Sequence, residues 1–132
     1  MHNQPEIEVG IIAREELRFL LNGTFYSEGK KPFSPGEYRA VVHESRISVV
    51  PEKGGNSEAT SFLISPGEAD SFFELKNVII GVGFHWEQEE NQQFQGKLKL
   101  IPENGKVRAV NVIGLEDYLK SVISSEMSAT SS

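Results

Sequence analysis

A mainly β domain, with antiparallel sheets arranged as a sandwich or barrel and one helix at the C-terminal end, is the fold class this sequence predicts. Three observations carry that reading. About eight short segments rich in β-branched and aromatic residues recur between clusters of Gly, Pro, Asn and Glu. Two Asn-Gly pairs, Asn22-Gly23 and Asn104-Gly105, supply hairpin signals, because both central residues of a type I′ turn need positive φ. Only beyond them does the apolar spacing change to that of a helix.

The predicted strands, in order, are Ile7–Ile12, Leu17–Leu21, Glu37–Val42, Arg46–Val50, Thr60–Ser65, Asn77–Trp86, Phe94–Ile101 and Lys106–Ile113. A tight turn at Asn104-Gly105 would set Leu100 opposite Ala109 and Lys99 opposite Val110. The stretch PEKGGNSEAT at 51–60 has no apolar residue except Ala59 and reads as an exposed loop. No internal repeat or low-complexity tract interrupts the pattern.

The helix is specified from several directions. Leu115, Tyr118, Leu119, Val122 and Ile123 recur at i, i+3, i+4, i+7 and i+8, forming one apolar stripe expected to pack on the sheet. Gly114 is an acceptable N-cap, and Glu116 and Asp117 fall in the first turn, where the helix dipole favours acids. Glu116 and Lys120 stand at i, i+4 in the better orientation. One more turn would bring Glu126 to about 20° from Leu115, near the middle of the stripe. A helix that stops at Ser124 and Ser125 instead leaves that carboxylate in water.

At 132 residues the chain has enough material for one core. Its net charge of -6, with Lys and Arg scattered, offers no footprint for nucleic acid or an anionic membrane. There is no cysteine, so disulfides and thiolate metal sites are excluded. No apolar run is long enough for a transmembrane segment, and MHNQPEIEVG has neither the basic start nor the apolar run of a signal peptide.

Several familiar motifs fail on inspection. Gly81-Val82-Gly83 follows a strand, but Trp86 stands where a dinucleotide fingerprint needs its third glycine. The Gly-Lys at 29–30 has the wrong spacing for a P-loop, and no Ser or Thr follows Lys30. Asn22-Gly23-Thr24 fits a glycosylation acceptor but is better explained as a turn. His2, His43 and His85 are too dispersed for a local metal motif. His85 and Trp86 point to opposite faces of a strand, so at most one could line a sugar platform, and packing is the plainer role for Trp86. No cofactor is called for.

The remaining chemistry lies at the C-terminal end. FQGKLKLIPENGKVRAVNVIGLEDYLKSVISSEM resembles the start of the sporulation stage II protein D and amidase-enhancer family, the SpoIID/LytB domain. The resemblance rests on Phe94-x-Gly96, two strands around Asn104-Gly105, Val110-Asn111, Leu115 to Leu119, Val122 and Ser125-Glu126-Met127. Gly114 and Ser124 depart from it, standing where many members have proline. It implies a division into an N-terminal β region, 1–93, and the start of a SpoIID/LytB-like domain, 94–132, cut short by the end of the sequence. It also implies an α+β fold in the longer protein.

Sporulation members of this family are lytic transglycosylases, and the glutamate of Ser-Glu-Met is their proposed acid. The resemblance therefore makes Glu126 the candidate catalytic residue and peptidoglycan glycan strands the partner, with a cell-wall amidase as a second partner. It places the protein in the cell envelope, periplasmic or extracellular. A carboxyl on the apolar side of a helix would have a raised pKa, as a general acid near neutral pH needs. The competing reading is a noncatalytic wall-binding module or amidase enhancer. On either reading these 132 residues are expected to fold without cleaving glycan by themselves.

Overall fold

The computed structural model describes residues 5–68, 70–80 and 88–120. Twelve strands are defined: β1 (Glu6–Arg14), β2 (Glu16–Asn22), β3 (Phe25–Ser27), β4 (Pro32–Phe33), β5 (Gly36–His43), β6 (Arg46–Pro51), β7 (Ser57–Ala59), β8 (Phe62–Pro66), β9 (Phe72–Ile80), β10 (Gln88–Phe94), β11 (Lys97–Glu103) and β12 (Lys106–Gly114). A short helix, α1, covers 115–120. One sheet has the order β1-β12-β11-β8-β3-β4 and the other β10-β9-β2-β5-β6-β7. Every pairing is antiparallel, as the sequence predicts.

Alternation along the strands builds the core. In β2, Leu17, Phe19 and Leu21 are buried while Glu16, Arg18 and Asn22 face water. Leu98 and Leu100 of β11 and Val107 and Ala109 of β12 do the same from the other sheet, so the two inner faces close on one apolar interior. Aromatic contacts cross between the sheets. Phe62 and Phe33 of one meet edge to face at 6.3 Å, Phe33 reaches Tyr38 of the other at 5.9 Å, and Tyr38 stacks on Phe19 at 5.4 Å. The Tyr38 hydroxyl donates to Ser34 O at 2.7 Å, which satisfies its polar end, and burial raises its pKa.

The Asn104-Gly105 hairpin forms with φ of 52° and 77°, and Leu100 faces Ala109 as the turn requires. Asn22-Gly23 does not form one. β2 and β3 belong to different sheets, so the chain crosses there instead of folding back. Gly23 takes φ 115°, and a Cβ on it would collide with Ser71 Oγ and lie 2.9 Å from Ser71 Cβ, so glycine is required by the close approach. A tight hairpin the sequence did not announce joins β5 to β6: Glu44 and Ser45 adopt φ of 52° and 66° without glycine.

Strands β3, β4 and β7 are too short to leave a pattern, and β7 takes up part of the expected 51–60 loop. β10 escapes detection because Gln, Glu and Asn fill it; pairing with β9 and the stacking of Phe94 on Phe73 at 5.3 Å hold it. Residues either side of position 93 share a sheet, since β12 lies between β1 and β11. Lys97 and Lys99 of β11 reach Glu6 and Glu8 of β1 at 3.0 and 3.2 Å, across the outward-facing Val110 and Val112 of β12. No helix among the described residues is long and apolar enough to cross a membrane.

Candidate functional site

The chain passes from β10 in one sheet to β11 in the other through Gln95 and Gly96. Two residues make that bend possible. Gly96 takes φ 90°, and a Cβ there would sit 2.8 Å from the Val112 carbonyl oxygen and 3.2 Å from Ile113 Cβ. Asn111, only 6% exposed, faces it from β12 and donates through Nδ2 to Gln95 O at 2.8 Å and Lys97 O at 3.2 Å. The carbonyls on both sides of the bend are thus paired by one buried amide.

Beyond β12 the Leu115 N–H donates to Pro5 O at 2.8 Å, continuing the β1–β12 pairing that ends at Glu6 and Gly114. This bond fixes how α1 leaves the sheet. Tyr118 turns inward and is half-buried, whereas Leu119 is 46% exposed. The expected stripe is therefore not packed at Leu119; rotation set at the first turn gives the inward position to Tyr118.

Tyr118 forms one wall of a cleft of about 450 Å³ between the sheet edges. β10 supplies Gln92, Gln93 and Phe94, with Gln95 just after it and Phe72 beside them on β9. Val9 of β1 and Asn111 and Ile113 of β12 come from the opposite sheet. That size suits a small ligand or one segment of a polymer, since ligand pockets run from roughly 300 to 1,000 Å³.

Among the described residues the lining is neutral: side-chain amides, aromatic rings and the aliphatic Val9 and Ile113, with Tyr118 the one titratable group. Amides present donors and acceptors together, and rings present apolar faces. With both Nδ2 hydrogens committed, Asn111 has only its Oδ1 acceptor left to offer. The carboxylate joined to the cleft is Glu74, which accepts from Gln93 Nε2 at 3.5 Å. Lys76 at 2.9 Å, and then Gln93, hold Glu74 below the usual carboxylate range against the opposing effect of desolvation. An ionised, cation-bound carboxylate is not a proton donor at neutral pH.

Glu126, with Ser125, Met127, Val122 and Ile123, lies outside the described residues, as do His2, His85 and Trp86. Phe94, Gly96, Asn111 and Tyr118 of the C-terminal signature are described, and they meet around this cleft and its bend. The glutamines were missed by sequence reasoning; the only signal was an amide-rich run, Gln88 to Gln95, beside an aromatic. His43 is exposed at the end of β5. Among the described residues no group of His, Asp and Glu could hold a metal ion. Comparison with protein-family models, with curated proteins and with solved structures finds no match for this chain.

Proposed function

We propose that this chain is part of a cell-envelope protein that remodels peptidoglycan, its cleft holding the sugar rings of a stretch of glycan on which Glu126 acts as general acid. The observation that carries the reading is the convergence of Phe94, Asn111 and Tyr118, separate parts of one sequence signature, on a single cleft beside α1, whose last described residue, Lys120, stands six positions before Glu126 in the sequence. Sugar rings offer an apolar C–H face to Phe94 and Tyr118, and hydroxyl groups that can both donate to and accept from glutamine amides.

The chemistry fits the lytic transglycosylase type. Glu126 gives its proton to the glycosidic oxygen as that bond breaks. The muramic acid 6-hydroxyl then attacks the anomeric carbon and returns its proton to the glutamate, leaving a 1,6-anhydro end. The second carboxylate of ordinary glycoside hydrolysis is not required, because water is not the nucleophile. A noncatalytic wall-binding or amidase-enhancing role is the second reading. It is favoured by the cleft's described lining, which can hold a sugar but contains no carboxylate.

Both readings are tested on the whole protein that contains this chain, incubated with purified peptidoglycan glycan strands and followed by mass spectrometry and co-sedimentation. Anhydro-ended products are expected from the unaltered protein and not from Glu126→Gln, while Tyr118→Ala weakens sedimentation with the polymer. Anhydro product persisting in Glu126→Gln refutes the acid role. Sedimentation without any product, in the unaltered protein, selects the noncatalytic reading.

A further inference from the structure

A second hollow, of about 430 Å³, lies over β2, β5 and β6 of the β10-β9-β2-β5-β6-β7 sheet. One part of its lining is cationic: Arg18 of β2 and Arg39 of β5 are directly opposed cross-strand neighbours. Like charges in that arrangement destabilise a sheet. Their compensation is thin. Both share Glu16, at 3.6 and 3.7 Å through Nε, and neither makes a side-chain hydrogen bond to another described residue. The two side chains are 65% and 50% exposed, so two guanidinium forks present most of their donors to the solvent.

Two acids lie in the rest of the lining, which is otherwise uncharged and includes Phe19 and Tyr38. Glu37 of β5 and Glu52, just past β6, also border the hollow, with Val50 and Pro51 between the charges. Glu52 donates its backbone N–H to Glu37 O at 3.2 Å, which keeps the two acids side by side. Glu37 reaches Lys76 only at 3.8 Å, and Glu52 has no ion pair among the described residues. A simple anion would be attracted by the arginines and repelled by these acids, and a simple cation the reverse. One ligand class suits both ends.

We propose that this hollow binds a zwitterion, a small molecule or peptide end carrying a carboxylate and an ammonium, with the carboxylate on Arg18 and Arg39 and the ammonium toward Glu37 and Glu52. Val50 and Pro51 accept the apolar atoms between the two charges. Bidentate pairing of guanidinium with carboxylate sets the orientation. The like-charge arginine pair is then a stability cost retained for binding, of the kind found where function and stability conflict. This site shares no lining residue with the glycan cleft, so it stands or falls independently of the function proposed above.

The test uses amide chemical shifts of the labelled chain, titrated with glycine, 4-aminobutyrate and 6-aminohexanoate, and with acetate and methylammonium as single-charge controls. At least one amino acid is expected to shift the Arg39, Val50 and Glu52 amides saturably, at least tenfold more tightly than either control. Arg39→Gln and Glu52→Gln should each weaken that binding fivefold or more. Both positions are exposed, so the fold persists, and a well-dispersed spectrum verifies it. Arg39→Gln should also raise the melting temperature, an effect that relief of the opposed charges gives. Acetate binding as tightly as the amino acids, no saturable shift with any probe, or unchanged binding in both variants overturns the proposal.

Discussion

Removing the Asn111 side chain should cost the domain much of the bend that carries it from one sheet to the other. Asn111→Ala deletes the donors to Gln95 O and Lys97 O, at 2.8 and 3.2 Å, at a position 6% exposed. A lost hydrogen bond is worth about 1 kcal/mol net, and a carbonyl left unpaired in a buried place costs about 1–3 kcal/mol. The bend is only partly buried, so water can reach one of the two carbonyls, and the loss should be about 2–3 kcal/mol. With a urea slope of about 2 kcal/mol/M, the unfolding midpoint falls by roughly 1–1.5 M. Gly96→Ala should cost about as much by another route, since a Cβ there meets the Val112 carbonyl oxygen at 2.8 Å and the backbone holds φ 90°. Because both act on one bend, the double variant should lose less than the sum of the two. Urea unfolding followed by fluorescence measures all three. A midpoint shift under about 0.3 M for Asn111→Ala would falsify the claim that this side chain holds the crossing.

Other outcomes follow from particular residues. Ser45→Gly should raise stability by about 0.5–1 kcal/mol in thermal unfolding, because a left-handed non-glycine residue costs about 1–2 kcal/mol and glycine returns part of that in unfolded-chain entropy. Leu119→Ala should change stability by less than about 0.5 kcal/mol, since the side chain is largely in water; a loss above about 2 kcal/mol would mean that it is docked. On the acid side, Glu103, Glu74 and Glu58 have pKa values held down chiefly by Arg108, Lys76 and Arg46. Their stabilising contribution is complete above the unfolded carboxylate value of about 4.3 and disappears as pH falls through the lower folded values. Stability against pH should therefore be flat above about pH 5 and fall below about 4, and Glu103→Gln should flatten that fall.

The sequence carried the β body clearly where one face of a strand is apolar and the other is polar, as in β2, or where a turn has only one chemistry, as at Asn104-Gly105. It misled where glycine had a different task. Gly23 makes room for Ser71 at a crossing between sheets, and the local dipeptide resembles that of a turn. The Glu44-Ser45 turn was illegible because tertiary pairing of His43 with Arg46 imposes a backbone its residues do not favour. At the cleft, Phe94, Gly96 and Asn111 were legible as a pattern without a physical reason. Their roles in the bend depend on contacts between strands far apart in sequence, which no local spacing records. Gln92, Gln93 and Gln95 gain their place only from the position of β10 at a sheet edge.

The most direct measurement of the central claim is a titration of the labelled chain with glycan strands stripped of peptide, read at the backbone and side-chain amides. Saturable shifts should concentrate at Gln92, Gln93, Phe94, Gln95, Asn111 and Tyr118, and Tyr118→Ala should weaken binding severalfold without disturbing the remaining spectrum. Saturable binding whose shifts fall elsewhere, or no binding by a chain whose spectrum shows it folded, would contradict the assignment of this cleft to cell-wall glycan.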